Sequence, residues 1–352
     1  MRIATSRLIS PSLIAAMLLG VAPPPSVRAQ RNSDHEQTAG QLISRETDRA
    51  IDRGLAYLAA RQHDDGSFGS GGYSRNVAVC ALSGMAFMSG GSTPGRGPYG
   101  KQVEACVSFI LENTDDEGFI SVQESSSHGP MYGHGFATLF LAEAYGMAQR
   151  PDIREKLAKA VEQIVSTQNK DGGWRYQPQR KDADLSVTVC QIMALRAARN
   201  AGISVPRETV ERCIDYVKRS QNADGGFMYM VQGGQSAFPR SAAGVVALYS
   251  AGIYEGKEIT SGINYIMDHI PRRGAEPRGA AYYYYGHYYA VQAMWHTGGE
   301  RWTRWYIAIR DAMMARQEKN GAWMNSICPE YGTAMGCIVL QMPNNYLPIF
   351  QR

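Results

Sequence analysis

One seven-residue pattern, Q-x-x-x-G-x-(W/F), constrains this chain more than any other feature. It runs from Gln62 to Phe68, Gln168 to Trp174, Gln221 to Phe227 and Gln317 to Trp323. A degraded copy, ENTDDEGF, lies between Glu112 and Phe119. Starts at 62, 112, 168, 221 and 317 are separated by 50, 56, 53 and 96 residues. The last step is two periods, which places one more copy near residue 269, where the chain reads DHIPRRGAEP. A repeat of about fifty residues is one supersecondary unit that must stack on its neighbours to bury its apolar face.

Each repeat carries two helical patterns. Before the motif comes an amphipathic segment: Ile153, Leu157, Val161, Ile164 and Val165 in one repeat, Val210, Cys213, Ile214 and Val217 in the next. Their 3, 4, 7 spacing marks a surface helix with one buried stripe. After the motif comes a segment almost without charge, such as NVAVCALSGMAFM (76–88), HGFATLFLAEAYG (134–146), SVTVCQIMALRAA (186–198) and YYAVQAMWHTG (288–298). A helix apolar nearly all round is buried nearly all round. The pattern predicts an all-α, six-repeat α/α toroid, an (α/α)6 barrel of about twelve helices in alternating outer amphipathic and inner apolar rings. In it the motif glycine suits a helix C-terminus, and the motif glutamine holds the backbone of the turn, being a poor acid or base.

The first residues read as an address. Arg2 and Arg7 precede an apolar stretch from Leu8 to Ala22, and Val27-Arg28-Ala29 follows three prolines. This predicts a signal peptide over 1–29 cleaved after Ala29, a linker over 30–46 and one toroid domain over 47–352, in an exported, periplasmic or extracellular protein. No later segment offers eighteen uninterrupted apolar residues, so the mature chain is expected to have no transmembrane segment. Removing Arg2, Arg7 and Arg28 takes Lys+Arg from 36 to 33 against 32 Asp+Glu, a balance of +1. A near-neutral chain has no electrostatic footprint for nucleic acid. Six cysteines are too few for a disulfide-built scaffold. Most read as small core fillers, with Cys80–Cys106 and Cys190–Cys213 left open as disulfides because helices adjacent in sequence carry them.

Aligning the inner segments puts one residue per repeat at a shared mouth: Asn76, His134, Ser186, Arg240, His287 and Thr333. Converging helix N-termini would make that mouth receptive to an acidic group, and capping is the competing role for Asn76, Ser186 and Thr333. His134 and His287, within the recurring Tyr-Gly-His triplets at 132–134 and 285–287, are the better ligand candidates. Around them cluster Tyr132, Phe136, Tyr282 to Tyr285, Tyr288, Tyr289 and Trp295. Of four consecutive tyrosines, at most two can face one cavity.

The Q-x-x-x-G-x-W signature, the period and the alternating helix types resemble the prenyltransferase and squalene-cyclase repeat proteins, from Thr47 to the C-terminus. The likeness is nearest to exported bacterial single-toroid members of unassigned activity, whose ending resembles YYYYGHYYAVQAMW, GGERWTRW and YLPIFQR here. The resemblance implies an apolar small molecule, a polyprenoid or terpenoid, bound in a central aromatic cavity by His134, His287, Tyr132, Phe136, Tyr285 and Tyr288. Cyclases of the family carry D-x-D-D at an inner-helix start, and their middle aspartate protonates an alkene or epoxide. Asp182-Ala183-Asp184-Leu185 is similar, with Asp184 at the middle acid, Asp182 at the first and Leu185 in place of the last. If the chain is an enzyme, this implies an isomerase or lyase of the terpene-cyclase kind. Such chemistry needs a strong carboxylic acid and a dry pocket lined by π faces.

Other chemistries of similar toroids lack their residues. Zinc-dependent prenyl transfer needs Asp and Cys where Tyr285-Gly286-His287 stands, and one His cannot hold a tetrahedral zinc. No metal or cofactor is expected, since neither a phosphate-binding glycine loop nor H-E-x-x-H occurs. Two further readings stay open. A non-catalytic module docking an envelope protein predicts a small or blocked cavity, with exposed hydrophobic residues on a face. An (α/α)6 carbohydrate-active enzyme, using His134 or His287 with a tyrosine, predicts an open polar groove.

Overall fold

The computed structural model describes residues 39–148, 150–271 and 282–351. Twelve α-helices run through them in six pairs, and among the described residues no β-strand forms. The outer helices are α1 (Arg45–Ala59), α3 (Gly100–Glu112), α5 (Pro151–Thr167), α7 (Arg207–Arg219), α9 (Lys257–Asp268) and α11 (Gly299–Arg316). The inner helices are α2 (Val77–Ser89), α4 (Pro130–Ala148), α6 (Leu185–Asn200), α8 (Phe238–Ser250), α10 (Tyr283–Thr297) and α12 (Pro329–Gln341). Each inner helix packs on the next, and α12 returns to α2, closing the ring. No helix among the described residues is long and apolar enough to cross a membrane.

The two helix types follow from their side chains. In α2 every residue but Ala78 is buried, and Asn76 caps it by accepting the N–H groups of Ala78 and Val79 at 3.0 and 3.1 Å. Helix α7 buries one stripe, Thr209, Cys213, Tyr216 and Val217. That stripe is rotated slightly from the expected one, for Val210 and Ile214 are half-buried at its edge. The first outer helix starts at Arg45, where the Ser44 hydroxyl accepts the Thr47 N–H at 3.2 Å.

The motif is a knot that repeats with its bonds. Gln168 Nε2 donates to the Gly172 carbonyl of its own turn and to the Thr209 carbonyl of the next outer helix, both at 2.9 Å. Gln62, Gln221 and Gln317 repeat the pair, onto Gly66 and Gln102, Gly225 and Glu258, Gly321 and Ala50. Gly172 has φ +97°, and a Cβ there would lie 2.1 Å from the Arg212 carbonyl oxygen, so the turn requires glycine twice over. Trp174 folds back, its indole N–H donating to the Ile164 carbonyl of α5 at 2.7 Å.

The same bonds correct the degraded copy. Thr114 and Ile120 pair across their turn as Gln221 and Phe227 do. Asp115 N–H meets the Phe119 carbonyl as Asn169 N–H meets that of Gly173. The copy is therefore Thr114–Ile120, with threonine for glutamine and isoleucine for the aromatic. The spacings from 62 become 52, 54 and 53 residues. Most of DHIPRRGAEP lies outside the described residues, as do the expected signal peptide and most of the linker.

At the end of the barrel where the inner helices finish, the C-terminal segment is folded inward. Leu347, Ile349 and Phe350 are buried, and Arg196 of α6 donates to the Gln351 carbonyl at 2.5 Å. All six cysteines are buried free thiols. Cys190 contacts the Tyr289 hydroxyl of α10 at 3.3 Å, and neither pair left open, Cys80–Cys106 nor Cys190–Cys213, forms a disulfide.

Candidate functional site

The six inner helices begin at the opposite end, and between their N-termini lies a cavity of about 860 Å³. Asn76, Ser186 and Arg240 line it, as expected from the alignment. His134, His287 and Thr333 do not. Thr333 Oγ1 accepts the Trp323 N–H, Thr188 Oγ1 that of Trp174, and Ser241 Oγ that of Phe227, at 3.0, 3.1 and 2.8 Å. His134 Nδ1 accepts the Ile120 N–H at 3.2 Å, so the imidazole holds the same place as those hydroxyls. Alignment of the inner segments sets Ser186 and Arg240 beside His134, whereas the bonds make Thr188 and Ser241 its counterparts.

His134 is thereby fixed as structure. Its Nε2 bonds the Ala160 carbonyl at 3.1 Å, Phe119 stacks on the ring, and burial lowers its pKa to about 4. The ring is neutral, with the Nε2 proton donated to Ala160 and both nitrogens engaged by backbone. His287 is fully buried among Tyr283, Phe238 and Trp305, at ring-centroid distances of 4.4, 5.0 and 5.9 Å. Tyr288 lies fully buried beneath the floor, edge-on to Phe136 at 6.1 Å.

Of the expected ligand residues, Tyr132, Phe136 and Tyr285 line the cavity. Tyr285 donates its hydroxyl to the Ser186 carbonyl at 3.2 Å, and burial raises the pKa of both tyrosines well above the ordinary phenol value. Tyr73, Tyr176, Tyr229, Tyr282 and Tyr331 complete the aromatic wall. Four of these come from the connecting loops or their ends, where helical periodicity gives no guide. One signal is legible: the residue two past the motif's last position lines the cavity as Val122, Tyr176, Tyr229 and Asn325.

The two aspartates part company. Asp182 is half-exposed and pairs with Arg175 at 3.2 Å; the guanidinium also lies over Tyr176 at 4.9 Å and Tyr229 at 5.8 Å. Asp184 is fully buried and caps α6, accepting the Val187 N–H on Oδ1 at 3.0 Å. Its Oδ2 meets no donor at hydrogen-bonding geometry, although Tyr229 stands close enough to favour the charged form weakly. Burial dominates and pushes the carboxyl up to about 6, against the Val187 N–H and the Arg175 charge. Tyr229 and Ser186 belong to the cavity wall and Asp184 does not, so the acid sits one layer behind it.

Among the described residues the lining carries no carboxylate, and Arg240 and His128 are its basic groups. Arg240 is engaged locally, donating to the Phe227 and Gln235 carbonyls. The arrangement offers π faces and neutral hydroxyls to a guest. Two-carboxylate glycoside hydrolysis is not built from these lining residues, and neither expected histidine is there to replace it. Among the described residues no group of three or more His, Cys, Asp or Glu is placed to hold a metal ion.

Comparison with known proteins gives the following. The family described as the prenyltransferase alpha-alpha toroid domain matches residues 41–158 and 146–270. No curated protein sequence matches the chain. Among solved structures, a variant of the type II terpene cyclase MstE from Scytonema, in complex with geranylgeranyl dihydroxybenzoate, is 14% identical with TM-score 0.59, covering 86% of this chain and 98% of that one. An inactive α-1,6-mannanase variant from Salegentibacter, in complex with α-1,6-mannotetrose, is 8% identical with TM-score 0.62, covering 85% and 98%. Cellobiose 2-epimerase from Bacillus thermoamylovorans is 13% identical with TM-score 0.60, covering 83% and 96%. Identities this low establish the shared toroid and leave the reaction to the site.

Proposed function

The chain belongs to the prenyltransferase alpha-alpha toroid family, and from that premise we propose that it binds a polyprenoid or terpenoid in the cavity at the inner-helix N-termini. The observation that carries this reading is the wall itself: seven tyrosines and Phe136 around about 860 Å³, with no carboxylate among the described lining residues. Apolar bodies of this size are held by burial against apolar and aromatic surface. A cavity of that volume also speaks against a docking module with a filled centre. The terpene-cyclase relative, whose bound substrate joins a geranylgeranyl chain to a dihydroxybenzoate, shows such a guest in a toroid of this shape.

Binding, rather than cyclisation, is the reading the acid supports. Protonating an alkene needs the carboxylic proton delivered to the substrate carbon, and Asp184 is buried behind Tyr229 while its other oxygen caps α6. The test incubates the protein with detergent-dispersed squalene and geranylgeraniol, recovers it by gel filtration and analyses the lipid by gas chromatography–mass spectrometry. Retained, unchanged lipid with wild type and Asp184→Asn is the expected result. A cyclised product from wild type alone would make Asp184 the proton donor and overturn the binding-only reading. Retention of neither lipid would overturn the isoprenoid reading itself.

Export is part of the same proposal. The basic start, apolar stretch and Val27-Arg28-Ala29 support cleavage after Ala29. The intact mass of the protein recovered from its native host tests it, a mass beginning at Gln30 being expected.

A further inference from the structure

The cavity is lopsided in polarity. Its deep side is apolar: Val77, Val79 and Phe136 line it and are each at most 5% exposed. Its outer side, built by the loops 70–76 and 121–129, carries oxygen and nitrogen groups. There the Tyr73 hydroxyl and His128 Nδ1 share a hydrogen bond at 3.1 Å, and the two rings stack at 5.9 Å between centroids. The two loops are stitched beneath the pair. Ser126 N–H donates to the Gly72 carbonyl at 2.7 Å, and Asn76 Nδ2 donates to the Ser126 carbonyl at 2.9 Å. Asn76 also caps α2, so the pair is tied to a rigid helix rather than left on a free loop.

Resting on the isoprenoid reading above, the geometry points to Tyr73 and His128 as the head-group station of the cavity, selecting an isoprenoid that ends in a neutral hydroxyl or phenol. A phenol bonded to an imidazole offers one further donor and one further acceptor, whichever group holds the shared proton. A hydroxyl head is also both donor and acceptor and fits that pair. The pair lies at the solvent-exposed rim, so a pure hydrocarbon forgoes the hydrogen bonds a hydroxyl makes there without burying the pair unpaired. A diphosphate head needs cationic partners, and Arg240 already donates to the Phe227 and Gln235 carbonyls. Tyr73 and His128 are specificity-determining residues in this account. The apolar chain of the guest runs toward Phe136 with its oxygen held at the rim.

The experiment measures equilibrium binding of geranylgeraniol, squalene and geranylgeranyl diphosphate to the full protein in one detergent, in wild type, Tyr73→Phe and His128→Ala. The expected result is geranylgeraniol bound about tenfold or more tighter than the other two, with the alcohol-to-hydrocarbon ratio falling toward one in both variants. Equal binding of alcohol and squalene by wild type would overturn the head-group assignment and leave the isoprenoid reading standing. Tightest binding of the diphosphate would also overturn it, moving the head to Arg240 and the helix N-termini. A preference that persists in both variants would overturn the role of this pair. Failure of all three lipids to bind would overturn both readings. Thermal unfolding of each variant is followed alongside, and His128→Ala reads the pair from its other side if Tyr73→Phe is destabilised.

Discussion

Gln317 Nε2 donates to the Ala50 carbonyl oxygen at 2.7 Å, joining the last repeat to the first across 267 residues of chain. Gln168 makes the equivalent bond to Thr209, and there both amide and acceptors are buried. Replacing such a glutamine by alanine leaves two carbonyls without their donor, and a buried unsatisfied group costs about 1–3 kcal/mol. Gln168→Ala is therefore expected to lower the urea-unfolding free energy by that amount with little change in slope. Gln317→Ala, whose side chain is partly exposed, is expected to lose less, because water can replace it. Equal, negligible losses at both sites would mean that the knot contributes shape but no net stability.

His134 carries a pH signature. Its folded pKa is lowered to about 4 from 6.5, so between those values the unfolded chain binds more protons. Stability from this group is complete above pH 6.5 and is lost as pH falls toward 4, at about 1.4 kcal/mol for each pH unit crossed. His134→Thr puts at this place the residue that Thr188 and Thr333 already supply. Denaturant unfolding of both proteins between pH 4 and 7 should show the wild type losing ground to the variant as pH falls. A constant difference between them would mean that the ring takes up its proton as readily in the fold as in the unfolded chain.

Much of this architecture is legible in the sequence because four motif copies keep both the glutamine and the aromatic, and because charge vanishes from alternate helices. The register of the inner helices is not. His134 stands among the hydroxyls Thr188, Ser241 and Thr333, a place no alignment by residue type would give it; the link is a bond from a backbone N–H of the motif. The wall is half legible. Tyr132, Phe136 and Tyr285 sit on predicted inner helices, whereas Tyr73 and His128 come from loops brought together by the ring. The spacing of D-x-D places Asp184 at the right helix end, but its burial behind Tyr229 follows from how α6 packs and leaves no mark in that spacing.

Glu143 behaves oppositely to His134. Lying on α4 and 2% exposed, it accepts the Ile349 N–H at 3.3 Å, and burial pushes its pKa up to about 8 from 4.5. Between those values the folded state binds the extra proton, so stability falls as pH rises from 4.5 toward 8. Asp184 adds the same sign between 3.8 and about 6. Glu143→Gln keeps an acceptor for Ile349 and removes the titration. Its stability curve should stay flatter than wild type between pH 5 and 8, as read by denaturant unfolding at each pH. Parallel curves would mean that the Arg196 charge holds Glu143 ionised throughout.

Filling the cavity separates binding from folding. Ser186 lines the wall in the first turn of α6, and no hydrogen bond of its side chain holds a neighbour there. A tryptophan at this place would extend into about 860 Å³ of open space, where it meets π faces rather than packed backbone. Overpacking costs about 1–3 kcal/mol in a filled core, and an open cavity removes most of that cost. Ser186→Trp is therefore expected to keep the far-UV spectrum and a melting temperature within a few degrees of wild type, while weakening geranylgeraniol binding by about tenfold or more. Unchanged binding in a folded Ser186→Trp protein would place the lipid outside this cavity and remove the aromatic wall as its site.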